Sequence, residues 1–191
     1  MNRWILGIGT LVLAGCAAVM APPSSDITTP GGRESLKMSG TITVEVRNPQ
    51  GEVRYVTTVP NNIPNTAETA LRDCFGGTGT PTCTPVQNFK YHGIGTSSQA
   101  VAETDTGCIT ELTTQYQTDN TRATGTQTNG GADIYRTVAT NTVDASVTIN
   151  EFCLMSQAAT GGGTVWTRAL IGPVSLVSSE TITTTYNVTF N

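Results

Sequence analysis

The residues of this chain that could do chemistry are few, and their spacing decides most of what they can do. His92 is the single histidine and lies close in sequence to Ser97 and Ser98. A nucleophilic hydrolase would present its serine on a Gly-x-Ser-x-Gly elbow within reach of the imidazole, and no such elbow exists. His92 therefore reads as a packed or solvated strand residue. Asp105, Glu111 and Glu151 could serve as an acid-base pair or hold a hard cation, but nothing in their spacing puts them on one face, so solvated or hydrogen-bonded carboxylates are expected. Gly93-Ile94-Gly95-Thr96 and Gly161-Gly162-Gly163 invite a phosphate-cradle reading. Neither is followed by Lys-Ser/Thr nor opens a helix, so both read as turn glycines. Zinc would need a different cysteine spacing, because the chain holds no Cys-x-x-Cys and one histidine. No catalytic residue, metal ligand or cofactor site is assigned, and the expectation is a non-enzyme.

Trp166 and Arg168 are two apart on a strand, which in a regular strand puts them on one face, where they could contact a sugar ring or a protein partner. Tyr186 would join Trp166 in a carbohydrate-binding variant of that reading. Core packing of the tryptophan is the competing use. Glu151 and Arg168 carry opposite charges on strands expected to be neighbours, so an ion pair between them is the more economical use of both.

The elements that must position these groups are mostly strands. From Val143 onward, apolar residues fall at every second position through Val143 to Leu154, Thr164 to Ile171 and Glu180 to Phe190, the period of half-buried strands. Thr occupies 36 of the 191 positions and Lys only Lys37 and Lys90, a β-branched and charge-poor composition that favours strands over helices. Gly40 to Arg47 and Glu52 to Val59 alternate about an Asn48-Pro49-Gln50-Gly51 turn and form the clearest hairpin. One helix is expected over Thr66 to Cys74, with Asn65 as cap, Glu68 as capping partner and Ala67, Ala70, Leu71 and Cys74 at helical spacing. Another strand follows over Asn88 to Gly95, then a short helical segment around Asp105 to Leu112. The Thr-, Asn- and Gly-rich stretch 117–131 reads as a long exposed loop. The fold class is mainly β, an antiparallel β-sandwich of jelly-roll or Ig-like type with one short helix and an extended N-terminal arm. Its divisions are 1–16 as a signal or apolar anchor, 17–37 as an extended linker or arm, and 38–191 as the sandwich.

The first sixteen residues combine a charged start at Arg3, an apolar stretch from Trp4 to Leu13 and Leu13-Ala14-Gly15-Cys16. This resembles a bacterial lipoprotein signal, which implies lipidation of Cys16 and an outer-membrane, lipid-anchored location; an uncleaved apolar anchor is the alternative. The apolar stretch is too short for a comfortable bilayer span. Four cysteines then remain, Cys74, Cys83, Cys108 and Cys153. An even set behind an export-like start points to two disulfides, with three pairings open. Cys74 with Cys83 is favoured because the loop between them can fold back, which leaves Cys108 with Cys153. Chain entropy gives roughly 2.5 to 3 kcal/mol for the short loop and about 4 kcal/mol for the long one. The formal charge of −4 is spread without blocks, which offers no footprint for nucleic acid.

The order of elements carries a second resemblance. Asn61 to Cys74, Gly93 to Thr96, the Glu-Thr-Asp-Thr segment running to Glu111-Leu112, Ile149 to Phe152, Trp166 to Val174 and the closing Thr-rich strand follow one another as in small tailed-phage structural proteins, described as tail-fibre-like or head-decoration-like. The resemblance covers roughly residues 61–191. It implies a β-sandwich on a virion, without enzymatic activity, whose partners are capsid or tail subunits and copies of itself. A membrane becomes a partner only if Cys16 is lipidated. The alternative function is a bacterial outer-membrane lipoprotein with an adhesive or envelope-structural role, with glycan binding through Trp166 and Arg168 as a further variant. A lattice decoration implies many copies and symmetric contacts, with 17–37 and 117–131 ordered by neighbours.

Overall fold

The computed structural model describes residues 37–76 and 86–191; the signal-like segment, nearly all of the 17–37 arm and Cys83 lie outside the described residues. The chain runs β1 (Met38–Arg47), β2 (Val53–Asn61), α1 (Asn65–Gly76), a single 3-10 turn (Val86–Asn88), β3 (Tyr91–Gly95), β4 (Ala123–Thr124), β5 (Thr126–Gly131), β6 (Ile134–Thr142), β7 (Val147–Met155), β8 (Val165–Leu176) and β9 (Thr181–Phe190). These strands form two antiparallel sheets, one in the order β2-β1-β9-β6-β5 and the other β4-β3-β7-β8. Ile42, Val44, Val46, Ile182, Tyr186 and Val188 of the first sheet pack with Ile94, Phe152, Leu154, Trp166 and Ile171 of the second in one buried cluster. The expected sandwich is therefore present, sealed by side chains two apart along each strand.

The β1–β2 hairpin closes through the predicted turn, where the Asn48 side chain accepts from the amides of Gln50 (3.1 Å) and Glu52 (2.8 Å). In α1, Ala67 and Leu71 are buried and Ala70 packs beside them, one face of a helical period lying against β8. Among the described residues no helix is long and apolar enough to cross a membrane.

Two expectations from sequence are corrected. Residues 117–131 are not one exposed loop: Arg122 is buried, Ala123–Thr124 pairs with β3 in the second sheet, and Thr126–Gly131 pairs with β6 at the edge of the first. The alternation that marks a strand is missing because β5 is an edge strand with almost every residue exposed, so neither face needs apolar side chains. The switch between sheets happens at Gly125, whose amide donates to the Lys90 carbonyl at 2.6 Å. A side chain there would come within 2.6 Å of His92 Nε2, so only glycine lets the strand turn this corner. Residues 105–112 are not helical either; they form turns, with Glu111 bridging to Gly95. The amides of Ile109 and Thr110 donate to the Glu151 carboxylate instead of entering a helical ladder.

Candidate functional site

The second sheet has a chemically distinctive outer face, and a β-bulge creates it. In the β7–β8 pairing, Leu154 faces Thr167 and Met155 faces Val165, so Trp166 is an extra residue. The bulge breaks the simple period of two. Trp166 turns into the core, edge-on to Phe89 at 4.6 Å and stacked on Tyr135 at 5.4 Å between ring centres. Arg168 lies opposite Cys153 and shares with it and Glu151 the outer face. The expectation that Trp166 and Arg168 share a face as an external contact is thereby corrected. Both are buried, as is Tyr186, so none of the three is displayed to a glycan or protein partner.

Over this outer face lies the 96–122 segment, and the polar groups of the sheet hold it there. Arg168 is fully buried; its Nε donates to Glu151 Oε2 at 2.9 Å, its Nη1 to Asp105 Oδ2 at 2.9 Å, and its Nη2 to the carbonyl of Gln99 at 2.9 Å. Glu151, equally buried, accepts from the amides of Ile109 (2.9 Å) and Thr110 (2.6 Å). Asp105 also accepts from the amide of Ala102 at 2.9 Å. Burying three ionised groups is costly unless each is paired and hydrogen-bonded, and here each is. The two carboxylates outnumber the one guanidinium, and the amides pointing at them offset the excess charge.

A covalent link adds to this clamp, since Cys108 is disulfide-bonded to Cys153 with Cα atoms 5.8 Å apart. Cys74 is disulfide-bonded as well, while its favoured partner Cys83 falls outside the described residues. The sulfurs of Cys108 and Cys153 and a carboxylate oxygen of Glu151 lie within 4.8 Å of one another. Space for the clamp comes from β3. A Cβ on Gly95 would stand 2.5 Å from both Glu151 Oε1 and the Thr110 carbonyl, and one on Gly93 would stand 3.0 Å from Glu111 Oε1. The strand expected over Asn88 to Gly95 therefore holds both glycines, and close approach of the covering segment, not a turn, is what calls for glycine there.

Beside the clamp, Arg122 and Glu111 form a second buried pair, joined at 2.5 Å through Nε and 2.8 Å through Nη2. Arg122 Nη1 also donates to the carbonyls of Gln157 (2.8 Å) and Gly162 (3.0 Å), and the Gly161 amide donates to Glu111 Oε2 at 3.1 Å. The glycine run that suggested an anion cradle thus offers its amide to a protein carboxylate. A cleft of about 720 Å³ opens here, walled by Cys108, Thr110, Glu111, Arg122, Met155 and the glycines 161–163.

His92 lies on the opposite, core-facing side of β3, with Nδ1 2.5 Å from Thr184 Oγ1 and Nε2 3.1 Å from Thr137 Oγ1. Burial lowers its pKa from 6.5 to about 3, so it is neutral at physiological pH. It has no access to Ser97, whose hydroxyl instead accepts from the Gln99 amide. Tyr116, another buried residue, donates its hydroxyl to the Ile94 carbonyl and accepts from the Ile94 amide, and burial raises its pKa.

Of the residues singled out from sequence, the fold brings Asp105, Glu151 and Arg168 together, adds Cys108 and Cys153, and sets Glu111 at the neighbouring pair. It leaves His92, Trp166 and Tyr186 in the core. Sequence reasoning missed Arg122, whose signal was an arginine isolated in a stretch otherwise free of basic residues. Comparison with protein-family models, curated proteins and solved structures finds no match to this chain.

Proposed function

We propose that the chain is a non-enzymatic structural component of a tailed-phage particle, a decoration, spike or fibre/tail accessory that works by assembly with capsid or tail subunits and with copies of itself. The observation that carries this reading is how the ionisable groups are spent. Asp105, Glu111, Arg122, Glu151, Arg168 and Glu180 each bind another charged side chain and a backbone group, which suits holding a shape better than transforming a substrate. Support also comes from the first sheet, whose outer positions on β1, β9 and β6 include Thr41, Thr43, Thr183, Thr185 and Thr140. This broad threonine-rich face, whose charged groups are Arg136 and the paired Glu45 and Arg47, is suited to lying against another protein. Mass spectrometry of purified particles tests the proposal: the chain is expected in constant ratio to the capsid or tail subunits, and its absence from intact particles sinks the reading.

A second reading, a lipid-anchored outer-membrane protein with an adhesive or envelope-structural role, is favoured by Leu13 to Cys16 and by the Cys108–Cys153 disulfide, which belongs to oxidising compartments. On that reading Cys16→Ser removes the acyl mass from the protein and releases it from the membrane fraction. A variant unchanged in mass and location excludes it.

A further inference from the structure

Cys108 and Cys153 are far apart in sequence and on different elements, and the fold sets both against the Glu151 carboxylate. Arg168 and the amides of Ile109 and Thr110, none of which is a sulfur, fix the orientation of Glu151. Its Oε1 accepts one hydrogen bond from the protein and keeps a lone pair. Cys153 and Glu151 are fully buried, while Cys108 is half-buried and forms part of the cleft wall, so the group is approached from the Cys108 side.

From this juxtaposition we propose that, when the Cys108–Cys153 bond is reduced, the two thiolates and Glu151 form a site for a thiophilic divalent cation such as zinc. The chemistry balances with a dithiol as reductant. The dithiol delivers two electrons and two protons to the S–S bond and leaves as its own disulfide; the cation then takes up both sulfurs as thiolates and displaces the two protons to solvent. Two thiolates and a carboxylate are a donor set that zinc accepts, with a water as the fourth ligand.

Charge explains why the surroundings tolerate the exchange. A lone thiolate beside buried Glu151 would add a second negative charge to a water-poor site, whereas a divalent cation on two thiolates is neutral as a unit, as the disulfide is. The Arg168 clamp therefore sees no change in net charge between the oxidised and the metal-loaded forms. The site gives the same fold a covalent cross-link in an oxidising compartment and a metal cross-link in a reducing one, and it holds whichever of the two functional readings is correct.

The test uses the full chain carrying Cys16→Ser, Cys74→Ser and Cys83→Ser, reduced with a phosphine that does not compete for metal, and titrated with Co²⁺ under inert gas. One equivalent is expected to produce the near-ultraviolet thiolate-to-cobalt charge-transfer band, and zinc is expected to displace it. Adding Cys108→Ser, which leaves Glu151 and Arg168 intact, should remove the two-thiolate band. Adding Glu151→Gln should weaken binding roughly tenfold or more. Far-ultraviolet circular dichroism identifies any variant that has unfolded. A reduced, folded parent that gives no band overturns the proposal, and so does a folded Glu151→Gln variant with unchanged affinity.

Discussion

The outer face of the β4-β3-β7-β8 sheet carries Glu151, Cys153 and Arg168 and lies beneath the 96–122 segment, whereas the outer face of the five-stranded sheet carries Thr41, Thr43, Thr183 and Thr185 and has no chain laid over it among the described residues. Both sheets seal the same core with their other faces. What separates them is the reach of the outward groups. Threonine hydroxyls satisfy one another across strands, as Thr43 does with Thr58 and Thr140 with Thr183, each at 2.7 Å. A carboxylate and a guanidinium have more bonding sites than a flat sheet supplies, and they take the remainder from the backbone of a covering segment. The open face also carries Glu45, Arg47 and Arg136, but these are part-exposed and pair within the sheet, so what accompanies the roof is the full burial of Glu151 and Arg168.

The sharpest way to break the contrast is Arg168→Ala, which leaves Glu151 and Asp105 buried without their cation. Urea unfolding should show a loss of about 3–5 kcal/mol. Replacing both cysteines of the Cys108–Cys153 bond by serine removes a constraint spanning 45 residues, for which chain entropy gives at most about 4 kcal/mol. The loss in that variant should appear mainly as protease sensitivity within 96–122. Gly95→Ala places a methyl against Glu151 and the Thr110 carbonyl; a drop of about 1–3 kcal/mol is expected.

Acid acts on the core side of β3. Folded His92 stays neutral down to about pH 3, whereas the unfolded chain takes up a proton near 6.5. Between those values the unfolded state binds more protons, so this contribution is complete above pH 6.5 and is lost as the pH falls. It should cost about 2 kcal/mol at pH 5 relative to pH 8. Urea midpoints at the two pH values should differ in the wild type, and the difference should shrink in His92→Gln. Smallest of all, Thr183→Ala on the open sheet should change stability by about 0.5 kcal/mol or less.

Those differences also mark what the sequence discloses. β1, β2 and β9 alternate cleanly because one face meets the core and the other meets solvent, so their period is visible. The Glu151–Arg168 ion pair was accessible too, since opposite charges on adjacent apolar strands have few other uses. Core packing of Trp166 is legible, but its separation in face from Arg168 is not, because a one-residue bulge reverses the face of everything beyond it and leaves no compositional mark. β5 was hidden for the opposite reason: an edge strand exposed on both sides has no pattern to show. The roof over Arg168 was illegible because its bonds join Gln99, Asp105 and Ile109 to residues far along the chain, and no local rule links them.

Hydrogen exchange at the Ile109 and Thr110 amides reports on the roof itself, because both lie in a segment without regular structure and both donate to buried Glu151. They should exchange as slowly as the core amides of β9 in the wild type and become fast in Arg168→Ala. Wild-type exchange at the rate of an ordinary surface loop would mean that Glu151 does not hold the segment against the sheet.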